Sequence, residues 1–470
     1  MSSAPIKFGT DGWRAVVARD YTFENVQRVA QATGQWLQDE YGSDASVVIG
    51  YDTRFQGDQF ALAVAQVLGS MGVEVHLADG FATTPAVSWA TAEYGHAAGI
   101  VVTASHNPPA YNGFKIKAHF GGPASPEMIA EVERRIPDGP INMEVKSEAD
   151  LRDAGTLRNL NLQERYVDVL RDRIDVDAIK NSGLVLAYDA MYGAGQGALT
   201  ELFGEDQVLT LGHDRNPGMY GQAPEPIEKN LAGLSRLIVE EGAAAGLATD
   251  GDADRIGMYD ETGTFVDSHK ILALLVKYLH QEKGLGGKVV KTFSTTDMLD
   301  RIGEAYGLEV DTTKIGFKYI GPKMVTDDVL VGGEESGGMA VKAHIAERDG
   351  LYIGLTVVEM MVKRGKKLSE LVQELFDEFG PHYQSRNDLH TTDARKQSFL
   401  KELSEGGVKT IGDRAVVKTE TLDGFKFRVD GGWLMFRPSG TEPVLRVYSE
   451  ARSQEEADAI VEDGVALVNG

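Results

Sequence analysis

The sequence predicts an α/β protein of several domains, followed by a smaller α+β domain at the C-terminal end. Apolar runs of strand length alternate with amphipathic helical runs over most of the 470 residues, a pattern typical of βαβ units and of parallel or mixed sheets. From about residue 379 onward, closely spaced strands and one last helix predict an antiparallel sheet. At roughly 100–200 residues per domain, the length indicates three or four domains.

Hydrophobic spacing predicts the individual elements of the first segments. Val26, Val29, Ala30, Thr33 and Leu37 recur at helical spacing behind Thr22, which can cap the helix. Short strands are predicted at 46–49, 100–103, 184–188, 289–293 and 329–332. Several of these strands run directly into loops that are rich in polar residues.

The C-terminal segment is predicted to begin with a linker. Residues 379–394 are polar and contain Gly and Pro, which is typical of a connection without regular structure. Strands are predicted at 415–419, 425–429, 434–436 and 444–449, and a helix at 453–468. The predicted domains are 1–155, 156–265, 266–380 and 381–470.

Composition excludes several classes of function. The chain has 47 lysines and arginines against 71 aspartates and glutamates, for a net charge of −24, and such an acidic surface repels nucleic acids and anionic membranes. It contains no cysteine, so disulfides and thiolate catalysis are excluded. No apolar leader or bilayer-length apolar stretch is present in the sequence, which predicts a cytoplasmic protein.

Three aspartates alternate in the loop at 250–255. Asp250, Asp252 and Asp254 would repel one another if they converged, and a hard dication such as Mg²⁺ relieves that repulsion through oxygen ligands. A solvated acidic turn is the competing interpretation. An EF-hand is excluded because Arg255 occupies the sixth loop position, where the sharp turn needs glycine, although Glu261 stands at the twelfth.

A serine follows the strand predicted at 100–103. Ser105 lies in Thr-Ala-Ser-His-Asn-Pro, at a strand end where α/β proteins place reactive groups. A serine that accepts phosphate gains about two negative charges and can ligate a metal. An ordinary turn or helix cap is an equally good interpretation of this loop alone. No G-x-S-x-G elbow is present here, which argues against an acyl hydrolase.

Two further loops carry groups suited to phosphates and to hydroxyls. Residues 437–443 combine an arginine, two hydroxyls and a glycine, which together can hold a phosphate. Residues 332–338 offer two carboxylates and a serine to vicinal hydroxyls. Taken singly, the first is more simply a hairpin turn and the second an acidic turn. Isolated loop cations of the kind found at Arg14, Arg54, Lys115, Arg255, Lys318 and Arg348 are ordinarily solvated.

Five motifs together closely resemble the α-D-phosphohexomutase superfamily, which includes phosphoglucomutase and phosphomannomutase. They are FGTDGWR at 8–14, TASHNP at 103–108, DGDADR at 250–255, GEESG at 333–337 and RPSGTEP at 437–443. Their order and spacing match over essentially the whole chain. The resemblance implies three related α/β domains with mixed sheets and a C-terminal α+β domain around a central cleft.

The resemblance also implies the site residues. Ser105 would be the phosphoserine, and the implied catalytic groups are Ser105, Arg14, Lys115, Arg255 and His344, the last as general acid/base. One Mg²⁺ per chain would be held by Ser105, Asp250, Asp252 and Asp254. The implied sugar-binding residues are Glu334, Ser336, Lys318 and Arg348. The implied phosphate-binding residues are Arg437, Ser439, Gly440, Thr441 and Arg446.

The activity implied by the resemblance is reversible phosphoryl transfer between O1 and O6 of a hexose phosphate. Glucose 1-phosphate would become glucose 6-phosphate, with glucose 1,6-bisphosphate as intermediate and activator. GEESG favours glucose; a mannose or bifunctional mutase, a sugar-bisphosphate synthase or phosphatase, and a non-catalytic sensor are the alternatives. The implied partner is a small hexose phosphate, without nucleic acid or membrane, for a monomer or homodimer.

Overall fold

The structure is a computed structural model that describes residues 6–438 and 444–469. The chain forms two compact units. The first comprises Met1–Gly287 and Gly316–Glu370, and the second comprises Lys288–Ile315 and Leu371–Gly470. The three boundaries between the four predicted domains remain a prediction, because a division into two compact units does not test them.

A mixed six-stranded sheet opens the first unit, in the order β1-β5-β4-β2-β3-β6. Its strands are β1 (Trp13–Val16), β2 (Ser46–Tyr51), β3 (Glu74–Ala78), β4 (Ala98–Val102), β5 (Tyr111–Ala118) and β6 (Leu157–Leu160). β2 pairs in parallel with β3 and β4, whereas β5 is antiparallel to β1 and β4. β4 is buried at all five positions, as expected of a central strand that is covered on both faces.

A second mixed sheet of five strands follows, in the order β11-β10-β9-β7-β8. Its strands are β7 (Leu186–Asp189), β8 (Val208–Leu211), β9 (Ala245–Thr249), β10 (Ile256–Asp260) and β11 (Phe265–Val266). β9 pairs in parallel with β7 but antiparallel with β10, so the residues between β9 and β10 form a hairpin loop. The first unit also contains the antiparallel pair β14 (Val329–Gly333) and β15 (Met339–Val341).

Helices accompany these strands throughout the first unit. They are α1 (Phe23–Tyr41), α2 (Gly57–Ser70), α3 (Thr84–Glu93), α4 (Pro126–Arg135), α5 (Glu148–Asp153), α6 (Leu162–Arg173), α7 (Val176–Ser182), α8 (Ala198–Phe203), α9 (Ala232–Glu241), α10 (Ser268–Gln281), α12 (Gly321–Thr326) and α13 (Gly350–Arg364). The helix predicted behind Thr22 is confirmed: the Thr22 side chain accepts a hydrogen bond from the Asn25 amide, and all five residues of the predicted stripe are buried.

The second unit contains a parallel strand pair and an antiparallel sheet. The pair is β12 (Lys288–Thr292) with β13 (Val310–Thr313). The sheet has the order β16-β22-β21-β20-β19, with β16 (Tyr383–His390), β19 (Lys418–Glu420), β20 (Phe425–Val429), β21 (Gly432–Pro438) and β22 (Val444–Ala451). A small ladder joins β17 (Thr410–Ile411) and β18 (Arg414–Ala415). The helices are α11 (Met298–Tyr306), α15 (Asp393–Ser404) and α16 (Gln454–Asn469); α14 (Leu368–Phe379) begins at the end of the first unit.

The prediction of a linker at 379–394 is wrong. Tyr383–His390 forms β16, which is in register with β22 over eight residue pairs. β16 lies at the edge of the sheet, and its residues are half-buried or exposed, so polar side chains are tolerated there while the backbone is paired. The strand predicted at 415–419 is also wrong in part, because the chain leaves the ladder between β18 and β19.

The remaining strand predictions are confirmed to within about two residues, and so are the last helix and the antiparallel character of the C-terminal sheet. Within the described ranges, the longest helices lack the continuous apolar stretch that crossing a membrane requires.

Candidate active site

The serine loop, residues 103–108, and the carboxylate loop, residues 250–255, both begin where a buried strand ends. The serine loop follows β4, and the carboxylate loop joins β9 to β10. Each loop contains a non-glycine residue with positive φ, Ser105 at 53° and Ala253 at 58°. Such conformations cost free energy and persist where the surrounding contacts enforce them. The two loops are therefore held in fixed, tight turns.

A direct hydrogen bond joins the two loops. Ser105 Oγ donates to Asp250 Oδ2 over 2.6 Å, and both side chains are buried. The loops also touch through their backbones, because a Cβ atom at Gly251 would lie 2.5 Å from the Ser105 carbonyl oxygen. Glycine at position 251 is thus what allows the serine to reach the aspartates.

The three aspartates converge in the fold. Asp250, Asp252 and Asp254 are buried, and one carboxylate oxygen of each lies within 4.8 Å of those of the other two. Asp252 Oδ1 and Asp254 Oδ1 are buried without a hydrogen-bond partner among the described residues. Burial raises the pKa of Asp250, and repulsion from the other two carboxylates raises it further. This oxygen-rich donor set could bind a metal ion, and it fits a hard divalent cation.

Lys115 and Arg348 supply positive charge beside the carboxylate loop. Lys115 Nζ lies 2.7 Å from Asp252 and 2.9 Å from Asp254, and Arg348 donates to Asp254 over 2.6 Å. Burial lowers the pKa of Lys115, but the surrounding carboxylates outweigh burial and hold its pKa above the ordinary value. Lys115 therefore stays protonated at neutral pH.

Asp11 connects these two cations and was not singled out in the sequence. Its Oδ2 lies 2.8 Å from Lys115 Nζ and 2.6 Å from Arg348. Burial raises the pKa of Asp11, but the charges of Lys115, Arg348 and Lys117 outweigh it and hold the pKa well below its usual range. Asp11 belongs to the FGTDGWR motif, from which only Arg14 had been taken as a site residue. The motif could therefore have indicated Asp11 as well.

Arg54 binds the backbone of the serine loop and of the residues that follow it. Its guanidinium donates to the backbone carbonyls of Ser105, Asn107, Pro108 and Tyr111 at 2.5–3.0 Å. It is 2% exposed, so the expectation that isolated loop cations are solvated is wrong for Arg54, as it is for the buried Lys115 and Arg348. A charged group with five donors can fix several carbonyls at once, which a neutral side chain cannot do.

A buried carboxylate and a hydroxyl extend the site in ways that the sequence did not indicate. Asp52 lies 3.1 Å from Arg54 and accepts a hydrogen bond of 2.6 Å from Thr103, at the start of the serine loop. Thr84, at the start of α3, donates to Asp252 Oδ2 over 2.5 Å. Asp52 and Thr84 lie outside the quoted motifs, so only the fold could assign them.

Arg14 and Arg255 flank the same loops. Arg14 donates to the side-chain oxygen of Asn107 over 2.6 Å. The Arg255 backbone is paired with Gly338, which brings the end of the carboxylate loop to the end of the predicted sugar loop, residues 332–338. The buried Arg255 Nε lacks a hydrogen-bond partner among residues 6–438 and 444–469. The first unit therefore holds four of the predicted cations close to the serine and aspartate loops.

The predicted sugar loop connects β14 to β15. Glu334 is buried, and burial raises its pKa to about 7, against the opposing charge of Arg348. Ser336 is half-buried in the same loop. Lys318 lies in the short 3₁₀ helix Phe317–Tyr319, with its ammonium 5.5 Å from the centre of the Tyr319 ring. A buried carboxylate beside an arginine is suited to accept hydrogen bonds from hydroxyl groups.

His344 lies in a separate cluster. Its Nδ1 is 2.8 Å from an Arg173 nitrogen and its Nε2 is 2.6 Å from Asp349, while its ring stacks on Tyr352 at 3.7 Å. Since arginine can only donate, Nδ1 accepts and Nε2 carries the proton. Both nitrogens are thus engaged, and burial lowers the pKa of His344. Its assignment as general acid/base remains a prediction.

The predicted phosphate loop lies in the second unit, between β21 and β22. Ser439, Gly440 and Thr441 lie outside the described residues. Arg437 and Arg446 are cross-strand partners in the β21–β22 pair, and neither Nε has a hydrogen bond within the described part of the chain. Each arginine has a carboxylate nearby, Asp423 at 3.4 Å from Arg437 and Asp388 at 4.0 Å from Arg446. The role of this pair in phosphate binding remains a prediction.

Comparison with known proteins gives the class. Family models for the phosphoglucomutase/phosphomannomutase domains match in order: alpha/beta/alpha domain I at 5–140, domain II at 164–263, domain III at 267–379 and the C-terminal domain at 393–467. The chain belongs to the phosphoglucomutase/phosphomannomutase family, as the five motifs predicted, and it is an enzyme of the phosphohexomutase type.

Individual relatives are named for different sugar phosphates. A phosphoglucomutase/phosphomannomutase from Thermococcus kodakarensis is 34% identical over 463 residues, covering 98% of both chains. A phosphoglucosamine mutase from Carboxydothermus hydrogenoformans is 31% identical, again over 98% of each. A solved structure from Thermus thermophilus, provisionally named a phosphomannomutase, has a TM-score of 0.88 and 36% identity over the full length of both chains.

Proposed function

We propose that this enzyme interconverts glucose 1-phosphate and glucose 6-phosphate through a phosphorylated Ser105 and a glucose 1,6-bisphosphate intermediate. The observation that carries the proposal is the hydrogen bond of 2.6 Å from Ser105 Oγ to Asp250, inside a cluster of three buried carboxylates and the ammonium of Lys115. A hydroxyl in that position can carry a phosphoryl group whose charge is offset on several sides.

Asp250, Asp252 and Asp254, with Ser105 or its phosphate, would hold the Mg²⁺ ion. When bound, Mg²⁺ would neutralise negative charge on the phosphoryl oxygens as the group moves. The two carboxylate oxygens that lack hydrogen bonds, on Asp252 and Asp254, support this assignment. One ion per chain follows from the single carboxylate cluster of this kind in the described residues.

The chain's own residues would support transfer in both directions. In the first transfer the Ser105 Oγ–P bond breaks, a bond forms from phosphorus to the free sugar hydroxyl, and the proton of that hydroxyl ends on Ser105 Oγ. Asp250 accepts the hydrogen bond of the resulting serine hydroxyl. Lys115, whose pKa is held above the ordinary value, stays a cation and stabilises the transition state by its charge.

The second transfer reverses these bond changes at the other phosphate. The bisphosphate turns around, and the phosphate originally on the substrate passes to Ser105 Oγ while its sugar oxygen takes up the proton. Glu334 and Ser336 would bind sugar hydroxyls in both orientations, together with Lys318 and Arg348. Arg437 and Arg446, with Ser439, Gly440 and Thr441, would bind the phosphate that is not reacting.

Glucose is the proposed sugar because of the GEESG sequence at 333–337. Glu335, the second glutamate of this motif, is the residue on which the choice of glucose rests. Mannose 1-phosphate is the alternative substrate, alone or together with glucose 1-phosphate. A relative described as both phosphoglucomutase and phosphomannomutase supports this alternative.

A rate assay on the full chain tests both the reaction and the sugar. Glucose, mannose and glucosamine 1-phosphates are compared with Mg²⁺ and a trace of glucose 1,6-bisphosphate, and free phosphate is monitored in parallel. The proposal expects fastest conversion of the glucose ester to its 6-phosphate with little free phosphate. Fastest conversion of another ester would overturn the glucose assignment, and release of free phosphate alone would indicate a phosphatase.

The Ser105→Ala variant tests the carrier. It should reduce kcat to background, whereas Ser43→Ala, which changes an exposed serine in the short 3₁₀ helix Gly42–Asp44, should leave the rate unchanged. Mass spectrometry of the wild-type protein after incubation with glucose 1,6-bisphosphate should find the phosphate on the peptide that contains Ser105. A Ser105→Ala protein with a wild-type rate would exclude the phosphoserine mechanism.

A further inference from the structure

The second unit contains a pocket of about 790 Å³ that is distinct from the residues assigned above. It is lined by residues at the ends of β12, β20, β21 and β22 and by the segment that precedes β16. Both charged and apolar side chains face it, among them Lys426, Arg452, His382, Phe293 and Leu422. This volume is in the range of small-molecule sites.

Lys426 is the unusual residue of this pocket. It is 2% exposed, and its ammonium lies 3.9 Å from the centre of the Trp433 ring and 5.1 Å from that of Phe293. Within residues 6–438 and 444–469 it has cation–π contacts but neither a hydrogen bond nor an ion pair. A buried ammonium without an anion is costly, and burial lowers the pKa of Lys426 to about 8.

The carboxylates of the pocket are already engaged. Glu420 lies 2.6 Å from Arg428 and Glu450 lies 3.1 Å from His382. Asp297 pairs with Arg428, and Asp300 pairs with Lys291. Each of these acids is paired with another residue, and among the described residues none forms an ion pair with Lys426. Asp297 and Glu450 still attract its ammonium without contacting it and partly offset the effect of burial on its pKa.

Other groups in the pocket could donate to an anion together with Lys426. Among the described residues, Arg452 has no carboxylate partner, and Arg301 donates only to the carbonyl of Phe379. His382 is 7% exposed, and its Nε2 is buried without a hydrogen bond in the described part of the chain. The lining has five lysines and arginines against four acids, so it is locally positive in a chain of net charge −24.

We propose that this pocket is a second anion-binding site, which takes an organic phosphate ester. The phosphate would lie against the ammonium of Lys426 and accept from Arg452 or His382, because a dianion with several acceptor oxygens can satisfy donors from different elements. The organic part would fill the rest of the volume along Phe293, Pro381 and Leu422, which a phosphate ion alone would leave empty. The site is independent of the proposed mutase chemistry.

The test reads Lys426 directly in the full-length wild-type protein. Lysines are acetylated at pH 8 with an N-succinimidyl ester, and the peptide that contains Lys426 is quantified by mass spectrometry with and without phenyl phosphate, which is neither a sugar nor a mutase substrate. A bound dianion keeps Lys426 protonated and covers it, so phenyl phosphate should slow its acetylation roughly tenfold. Lys401, which is 77% exposed, should react at one rate throughout.

Further conditions separate the phosphate from other causes of protection. Inorganic phosphate should protect Lys426 less than phenyl phosphate does, and benzoate at equal ionic strength should protect it least. Arg452→Gln should weaken the protection several-fold, whereas Arg134→Gln, which removes an exposed arginine of the first unit, should not change it. Unchanged acetylation of Lys426 with phenyl phosphate, or equal protection by benzoate, would overturn the proposal.

Discussion

At the scale of single residues, Asp11 pairs with two cations of the site, which its place in a motif did not indicate. One carboxylate bridges Lys115 and Arg348, and both cations also reach the aspartates of the carboxylate loop. The shared acid offsets the repulsion between these two buried cations, which on its own lowers the pKa of Lys115. We therefore assign Asp11 a positioning function for the cations that would face the proposed phosphoryl group on Ser105.

Asp11→Asn should lower both activity and stability. The amide cannot balance two buried cations, so we expect kcat to fall roughly 10–100-fold and the free energy of unfolding to fall by about 2–4 kcal/mol. Steady-state kinetics and denaturant unfolding measure the two effects. Asp20→Asn, at a surface pair with Arg19, should change the free energy by less than ~1 kcal/mol. Wild-type behaviour of Asp11→Asn would show that the bridge has no function.

Glu334 should give substrate binding a pH dependence near neutrality. Its pKa of about 7 is raised by burial, so the carboxylate that we propose as acceptor of hydrogen bonds from sugar hydroxyls is lost as the pH falls through 7. Between pH 8 and pH 6 its ionised fraction falls roughly tenfold, and KM should rise by a similar factor. Glu334→Gln should have a higher KM that no longer follows this titration. An identical pH profile in the variant would remove Glu334 from hydroxyl binding.

At the scale of elements, the site depends on two turns that begin at buried strand ends. β4 and β9 each end in a loop with one residue at positive φ, and these turns place Ser105 and the aspartates side by side. The close approach leaves no room for a side chain at Gly251. The geometry of the serine is therefore set by the backbone of both loops as much as by its own sequence.

Gly251→Ala should separate the two loops. The new Cβ would lie 2.5 Å from the Ser105 carbonyl oxygen, so one loop must move, and a shift of about 1 Å can reduce kcat roughly 100-fold. Gly139→Ala is the matched control, since a Cβ there meets open space. Kinetic assays of both variants make the comparison. Equal rates for Gly251→Ala and wild type would show that the contact does not position the serine.

β16 should behave as a strand in solution. Its eight residues pair with β22, so hydrogen exchange should find the inward-facing half of the amides of Tyr383–His390 protected and the outward half fast, as in an edge strand. The irregular segment 138–145 provides the fast-exchanging reference within the same sample. Uniformly fast exchange across 383–390 would restore the linker interpretation.

At the scale of the whole molecule, the acidic surface and the anionic substrate are compatible because charge acts locally. The chain carries −24, yet the screening length at physiological salt is about 8 Å. Charges on the distant surface are screened, while Lys115, Arg348, Arg14 and Arg255 lie among the residues of the site. The same separation of local from net charge applies to the pocket around Lys426.

Mg²⁺ should stabilise the folded chain. The aspartates converge only in the fold, so binding stabilises the native state, by about 2.7 kcal/mol at 100 times the Kd. Removal of Mg²⁺ by EDTA should lower Tm measurably. Asp252→Asn should lose this response, whereas Asp168→Asn, at an exposed position of α6, should keep it. A Tm of the wild-type protein that ignores Mg²⁺ would argue against the metal site.

The sequence by itself determined the class of this protein and most of its elements. The spacing of apolar residues and the composition distinguished the α/β segments from the antiparallel C-terminal sheet. A helix or strand that is buried on one face or on both has a characteristic order of apolar residues. Five motifs in order identified the serine, the aspartates and several cations. Those residues carry chemistry that few other residue types can supply, and they occur in short contiguous loops.

Only the tertiary structure decided which groups act together. Asp11, Asp52, Arg54 and Thr84 lie far from the aspartates in the chain, and their partners are chosen by sheet order rather than by local sequence. β16 was mistaken for a linker because an edge strand keeps polar side chains while its backbone is paired with a strand that is distant in the sequence. The burial of Lys426 likewise cannot be recognised from its sequence neighbours, since burial and the lack of an ion pair within the described residues are properties of packing in three dimensions.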